Sequence, residues 1–241
     1  RFYPLSLVRK KRTYYNIQYC SGFFPVTHKN LERFYNLYKD DTKEMDMLVG
    51  WRIEELLFKD WLGSKLYIKK TTLDNFFMHK HPWTNVLKGK KVLVVHPFAE
   101  TIEAQYKNKR QLLFENPEVL PEFLSLQTVK AVQSIAGNPV GFDTWFDALD
   151  WMKQEISKKD FDIALIRCGA YALPLAAYVK RMRKKAVHMG GILQFLFGIK
   201  SVAFESAEET AAYINEYFVY PSEKDKPKNA HLVEGGCYWG K

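Results

Sequence analysis

Three stretches of this sequence combine small residues with side chains that can hold an anion or move a proton. They are His96-Pro-Phe-Ala-Glu100, Arg167-Cys-Gly-Ala-Tyr171 and His188-Met-Gly-Gly191. Histidine titrates near neutral pH, so His96 and His188 can bind phosphate or serve as acid or base, or else be satisfied polar residues. In Cys168-Gly169-Ala170-Tyr171 the glycine either admits backbone N–H groups to an anion or only makes a tight turn. Gly190 and Gly191 offer the same two choices. Gln194, three residues on, carries an amide for a base, a sugar or its own neighbours. Glu100 is the candidate general base, although an acid there, like Glu103, also sits well against a helix dipole. Trp51, Trp61 and Trp83 read as a sugar platform or as core. Arg9-Lys-Lys-Arg12 and Lys180-Arg-Met-Arg-Lys-Lys185 read as solvated faces or as contacts to anionic lipid.

These residues need elements to position them. Val92-Leu-Val-Val95, Phe161-Asp-Ile-Ala-Leu-Ile166 and Ala186-Val-His-Met189 are short apolar runs of the kind buried on both faces of a parallel sheet. Met45 to Trp51 is a further strand candidate. Helical patterns alternate with the strands. Trp145, Leu149, Met152 and Ile156 form one apolar stripe on a helix starting near Asp143. Tyr171 to Met182 reads as a helix that tolerates Pro174 in its first turn. Ser206-Ala-Glu-Glu209 reads as a capping box before Ala212, Ile214 and Phe218. Leu31, Phe34, Tyr35 and Tyr38 mark an amphipathic helix. The alternation predicts an α/β, Rossmann-like, doubly wound and mostly parallel sheet, with ligands outside the carboxyl ends of its strands. One domain is expected over 1–241, with an irregular aromatic-rich part to about residue 88. A tail from about residue 222 reads as a polar connector closed by an aromatic that docks.

Composition narrows the function classes. The chain has 241 residues, 47% hydrophobic, enough apolar matter for a sizeable core. A net charge of +9 favours a phosphate-bearing partner: nucleotide, nucleic acid or anionic membrane. Cys20, Cys168 and Cys237 are too scattered for a disulfide framework or a zinc pattern and read as free thiols. The longest uncharged runs fall short of a membrane helix, and no signal peptide is read in a chain that opens at Arg1. GxGxxG, GxxxxGK[ST], HExxH and GxSxG are all absent, which disfavours NAD binding, P-loop ATPases, zinc proteases and serine hydrolases.

Taken together, several stretches resemble bacterial proteins with the GT-D glycosyltransferase fold. They are Lys90-Lys-Val-Leu-Val-Val-His-Pro-Phe-Ala99, Cys168-Gly-Ala-Tyr171, Pro174-Leu-Ala-Ala177 and Lys185-Ala-Val-His-Met-Gly-Gly191, with Gln194, Leu196-Phe-Gly-Ile-Lys200 and Glu234-Gly-Gly-Cys-Tyr-Trp239. The resemblance covers nearly the whole chain. It implies a nucleotide-sugar (UDP-type) donor and a glycan or lipid-linked acceptor. It places the chain in surface polysaccharide assembly, in the cytoplasm or at the inner face of the membrane, with no nucleic acid partner. His96, Arg167, Gly169, Tyr171, His188, Gly190, Gly191 and Gln194 would line the donor site.

The departures are specific. The resemblance implies an N-terminal Arg-Phe-Gly-x-x-Glu type turn whose acidic pair holds a divalent cation (Mn or Mg) and the donor diphosphate. Here the stretch reads Arg1-Phe2-Tyr3-Pro4-Leu5-Ser6, and a hydroxyl cannot replace a carboxylate as a charged ligand. Arg167, Ala172 and Arg183 stand where glycine is implied, and Tyr178 where histidine is. Ser201-Val-Ala-Phe204 replaces Gly-Lys-Arg-Trp. Arg167 could meet a diphosphate directly. The expectation is therefore a glycosyltransferase. The alternative is a catalytically impaired relative that binds nucleotide or glycan, or a partner in an assembly complex.

Overall fold

A computed structural model of the chain describes residues 12–50, 59–63 and 65–240. The central sheet is parallel and has four strands in the order β4-β3-β5-β6. They are β3 (Lys91–His96), β4 (Ser125–Lys130), β5 (Ile163–Ile166) and β6 (Lys185–His188). Separately, β1 (Met47–Gly50) pairs in parallel with β2 (Leu66–Lys69). The fold is α/β and Rossmann-like, as the alternation implies.

Both faces of the sheet are covered. Val92, Val94, Ile163 and Leu165 point into one apolar cluster with Phe98 and Ile102. Leu93, Val95, Ala164 and Ile166 point into the other. This two-residue alternation inside continuous apolar runs is the reason β3 and β5 show no polar face in the sequence. Four helices surround the sheet: α1 (His28–Asp41), α2 (Ala99–Lys109), α3 (Trp145–Ser157) and α4 (Ala172–Arg181). α3 starts at a capping box: the Thr144 side chain accepts from the Asp147 N–H, and the Asp147 carboxylate accepts from the Thr144 N–H. Trp145, Leu149, Met152 and Ile156 are all buried, as their spacing predicts. Pro174 lies in the first turn of α4.

Several expectations are corrected. β4 is a strand the periodicity did not reveal. The strand expected over Met45 to Trp51 is β1, and it joins no part of the main sheet; Trp51 lies outside the described residues. No long helix follows Ser206. Val202–Ser206 and Glu208–Ala211 are separate short helices, and Ala207, with no side-chain cap, precedes the second. The Ser206 hydroxyl instead donates back to the Val202 carbonyl, local competition that serine often wins. Ser201 is the residue that caps, accepting from the Phe204 N–H. Trp83 is packed against the core, and its indole N–H donates to the Leu73 carbonyl.

The chain leaves β3 toward β4 and leaves β5 toward β6 on the opposite side. The loops after β3 and β5 therefore diverge, and a crevice opens between them. The segment ending in Trp239 packs back onto this edge: Trp239 is buried, and its indole N–H donates to the Asp225 carbonyl.

Candidate functional site

A cavity of about 190 Å³, open to solvent, occupies that crevice. Pro97 follows β3, Gln133 and Ser134 follow β4, Arg167 to Gly169 follow β5, and Gly190 and Gly191 follow β6. Cys20 and Ser21 close it from one side, and Val233, Glu234, Tyr238 and Trp239 from the other.

Arg167 is the dominant charge. β5 ends one residue earlier, and the Arg167 N–H donates to the Val95 carbonyl, which fixes the backbone at the crevice. The guanidinium lies 5.6 Å from the centre of the Phe98 ring and 5.3 Å from that of Tyr238. Contacts of this kind orient a cation without using its N–H donors. Among the described residues no carboxylate pairs with it and no acceptor takes its hydrogen bonds. Enclosure by protein lowers its pKa, but a guanidinium stays charged in proteins.

His188 also lines the cavity. The ring is exposed by area yet surrounded by protein, as a side chain in the mouth of a cleft is. Loss of bulk water pushes its pKa down to about 4, so it is neutral at pH 7. His96 is fully buried behind the wall. Its Nδ1 accepts from the Phe98 N–H at 2.9 Å, which leaves the proton on Nε2, and Nε2 has no partner. Burial, then the Arg167 charge, holds His96 well below the usual histidine range. The two imidazoles thus end neighbouring parts of the same edge, but only His188 faces the cavity.

The glycines divide by role. Gly169 has φ +57°, and a Cβ there would meet the Ser21 carbonyl oxygen at 3.3 Å. The Ala170 N–H donates to that same oxygen, and the Tyr171 N–H donates to the Cys168 carbonyl. The turn is built for close packing against the Cys20–Ser21 segment, and those two amides are spent. Gly190, at φ +62°, faces open space. Gly190 and Gly191 both line the cavity, and neither N–H donates to a described residue.

Tyr171 lines the cavity and also braces its wall. It is 2% exposed, stacks on Trp145 with ring centres 4.7 Å apart, and its hydroxyl is 2.9 Å from Ser134 Oγ. Ser134 donates onward to the Gly22 carbonyl at 2.5 Å. Burial raises the Tyr171 pKa further. Two expected residues lie elsewhere. Gln194 is fully buried, donating weakly to the Ile199 carbonyl, and does not line the cavity. Glu100 is exposed and pairs with Lys130 at 3.2 Å, outside the cavity. As a salt-bridged surface acid it has no access to anything bound there.

Glu234 is the carboxylate that does line the cavity, and sequence reasoning assigned it no role. It adopts φ +48°, unusual for a side-chain-bearing residue, and accepts from the Tyr238 hydroxyl at 2.7 Å. The Glu234-Gly-Gly spelling was its signal: Gly235 and Gly236 also take positive φ, so three successive residues share one left-handed turn. Beyond Glu234 the wall offers the Gln133 amide, thiols, hydroxyls and the neutral His188, and among the described residues no cluster of His, Cys, Asp and Glu could hold a metal ion. The donor set therefore does not suit Mn or Mg, which take several oxygen ligands, carboxylates among them. Arg1 to Ser6 lie outside the described residues.

No protein-family model, curated protein or solved structure matches the chain.

Proposed function

We propose that this cavity binds the diphosphate of a UDP-type nucleotide sugar, and that the chain transfers the sugar to a glycan or lipid-linked acceptor. The unpartnered Arg167 guanidinium at the C-terminal edge of a parallel sheet is the observation that carries this reading. Its volume lies below the ~300–1,000 Å³ of whole-ligand sites, which suits the diphosphate, with nucleoside and sugar lying along the open mouth. The sugar–phosphate C–O bond breaks, the departing oxygen keeps the electron pair, and Arg167 stabilises its negative charge. A new C–O bond forms to the acceptor hydroxyl, whose proton passes to a base. Glu234 is the lining carboxylate able to take it. Among the described residues no helix is long and apolar enough to cross a membrane. A lipid-linked acceptor would therefore be met at the membrane surface.

Titration calorimetry with UDP tests the binding, and release of UDP from UDP-sugars in the presence of glycan acceptors tests the transfer. Absence of heat with UDP would remove the reading. UDP binding without release would favour the second reading, a relative that binds nucleotide without transferring sugar. Glu100 lying outside the cavity favours that second reading, because the acid expected for catalysis is elsewhere.

A further inference from the structure

Resting on that reading, we infer that the cavity holds a diphosphate without a divalent cation, and that the Arg167 guanidinium occupies the electrostatic place of the metal. The resemblance implies an acidic metal site, and the residues present do not make one. The stretch Arg1-Phe2-Tyr3-Pro4-Leu5-Ser6, which stands where the resemblance places the acidic pair, contains no carboxylate, and neither do the residues from there to Leu31. Glu234, the cavity's own carboxylate, already accepts from Tyr238. A dication entering here would meet one engaged carboxylate and a resident positive charge, and like charges in a crevice repel strongly.

The same features suit a bare diphosphate. A guanidinium presents five N–H donors in a plane and can meet two phosphate oxygens with parallel bonds. Arg167 lies against Phe98 and Tyr238, and none of its donors is claimed by a described residue. Gly190 opens onto free space, and its N–H and that of Gly191 add two uncharged donors. His188 lines the same wall and accepts or donates without adding charge. The ligand is therefore recognised as a diphosphate anion, not as a metal–diphosphate complex.

The test uses the full chain and two probes, inorganic pyrophosphate and UDP, each titrated in EDTA and in manganese, against wild type, Arg167→Ala and Arg167→Lys. Circular dichroism and thermal melting verify that the variants fold. We expect both probes to bind equally, within about twofold, in EDTA and manganese. Arg167→Ala should weaken both by about 10- to 100-fold, the loss of a charged hydrogen-bonding group. Arg167→Lys should recover part of this, because it keeps the charge and loses the fork. Binding that appears only with manganese, or that is untouched in both Arg167 variants, overturns the inference. Pyrophosphate binding through Arg167 with no UDP binding keeps the metal-free anion site and removes the nucleotide-sugar reading. Manganese-dependent UDP binding that ignores Arg167 does the opposite, and no binding of either probe removes both.

Discussion

The two ends of the central sheet engage their polar groups differently. At the amino end several of them are paired with one another. Lys91 Nζ lies 2.6 Å from Asp160, the Lys91 N–H donates to the Asp162 carboxylate, and Gln127 donates to the Asp160 carbonyl. At the carboxyl end the Arg167 guanidinium, His96 Nε2 and the amides of Gly190 and Gly191 have none among the described residues. A protein of ordinary stability leaves buried polar groups unsatisfied at a few places only. At the carboxyl end Arg167, Gly190 and Gly191 line a cavity, and His96 is buried close behind it.

Trp145 is fully buried beneath the carboxyl end and stacks on Tyr171, which in turn reaches Ser134. Trp145→Ala should lower the unfolding free energy by about 3–5 kcal/mol, read by chemical denaturation, and should weaken pyrophosphate binding with it. A loss under about 1 kcal/mol would mean the stack carries little of the edge.

Next comes the cation itself. Arg167→Ala should leave the unfolding free energy unchanged or raise it, by up to about 1 kcal/mol, while anion affinity falls. A clear drop in stability instead would show that Arg167 is a structural residue.

The two histidines at the carboxyl end couple stability to pH. His188 and His96 have folded pKa values below the unfolded value of about 6.5, so the unfolded chain binds more protons as the medium acidifies. Stability from these groups is complete above pH 6.5 and is lost as pH falls toward 4. Melting curves across that window should show a falling midpoint, with a shallower fall in His188→Gln. Solvent access at His188 keeps its share modest. A slope unchanged by the substitution would show that the ring titrates freely.

The smallest effect belongs to the amino end. Asp160→Asn removes an exposed, solvent-screened ion pair and should leave the unfolding free energy nearly unchanged. It should leave pyrophosphate affinity at the wild-type value. A change in affinity there would show that the two ends are electrostatically coupled.

Much of the frame was legible because its signals are local. The apolar runs of β3 and β5 and the stripe of α3 each lie within a few residues of one another in sequence. β4 was not legible. Ser125-Leu-Gln-Thr-Val-Lys130 is an edge strand with one neighbour, half-buried along most of its length, and its polar residues are tolerated because solvent reaches them. The cavity was legible in its strand-end half: Arg167, His188, Gly190 and Gly191 follow from the rule that ligands lie beyond strand ends. Its other half was not. Ser134 reaches Gly22 across 112 residues of sequence, and Tyr238 reaches Arg167 only because Trp239 docks. Glu100 shows the limit of the rule, since a residue just beyond a strand can still turn outward once a helix begins.

The cavity wall is gathered from six separated stretches of chain, so no fragment and no half-folded species can possess it. Any ligand of this crevice recognises the finished molecule alone and draws the folding equilibrium toward it, by about 2.7 kcal/mol at a hundredfold excess over its dissociation constant. A shift in melting temperature could therefore identify the natural anion from a panel of candidates before any reaction is known.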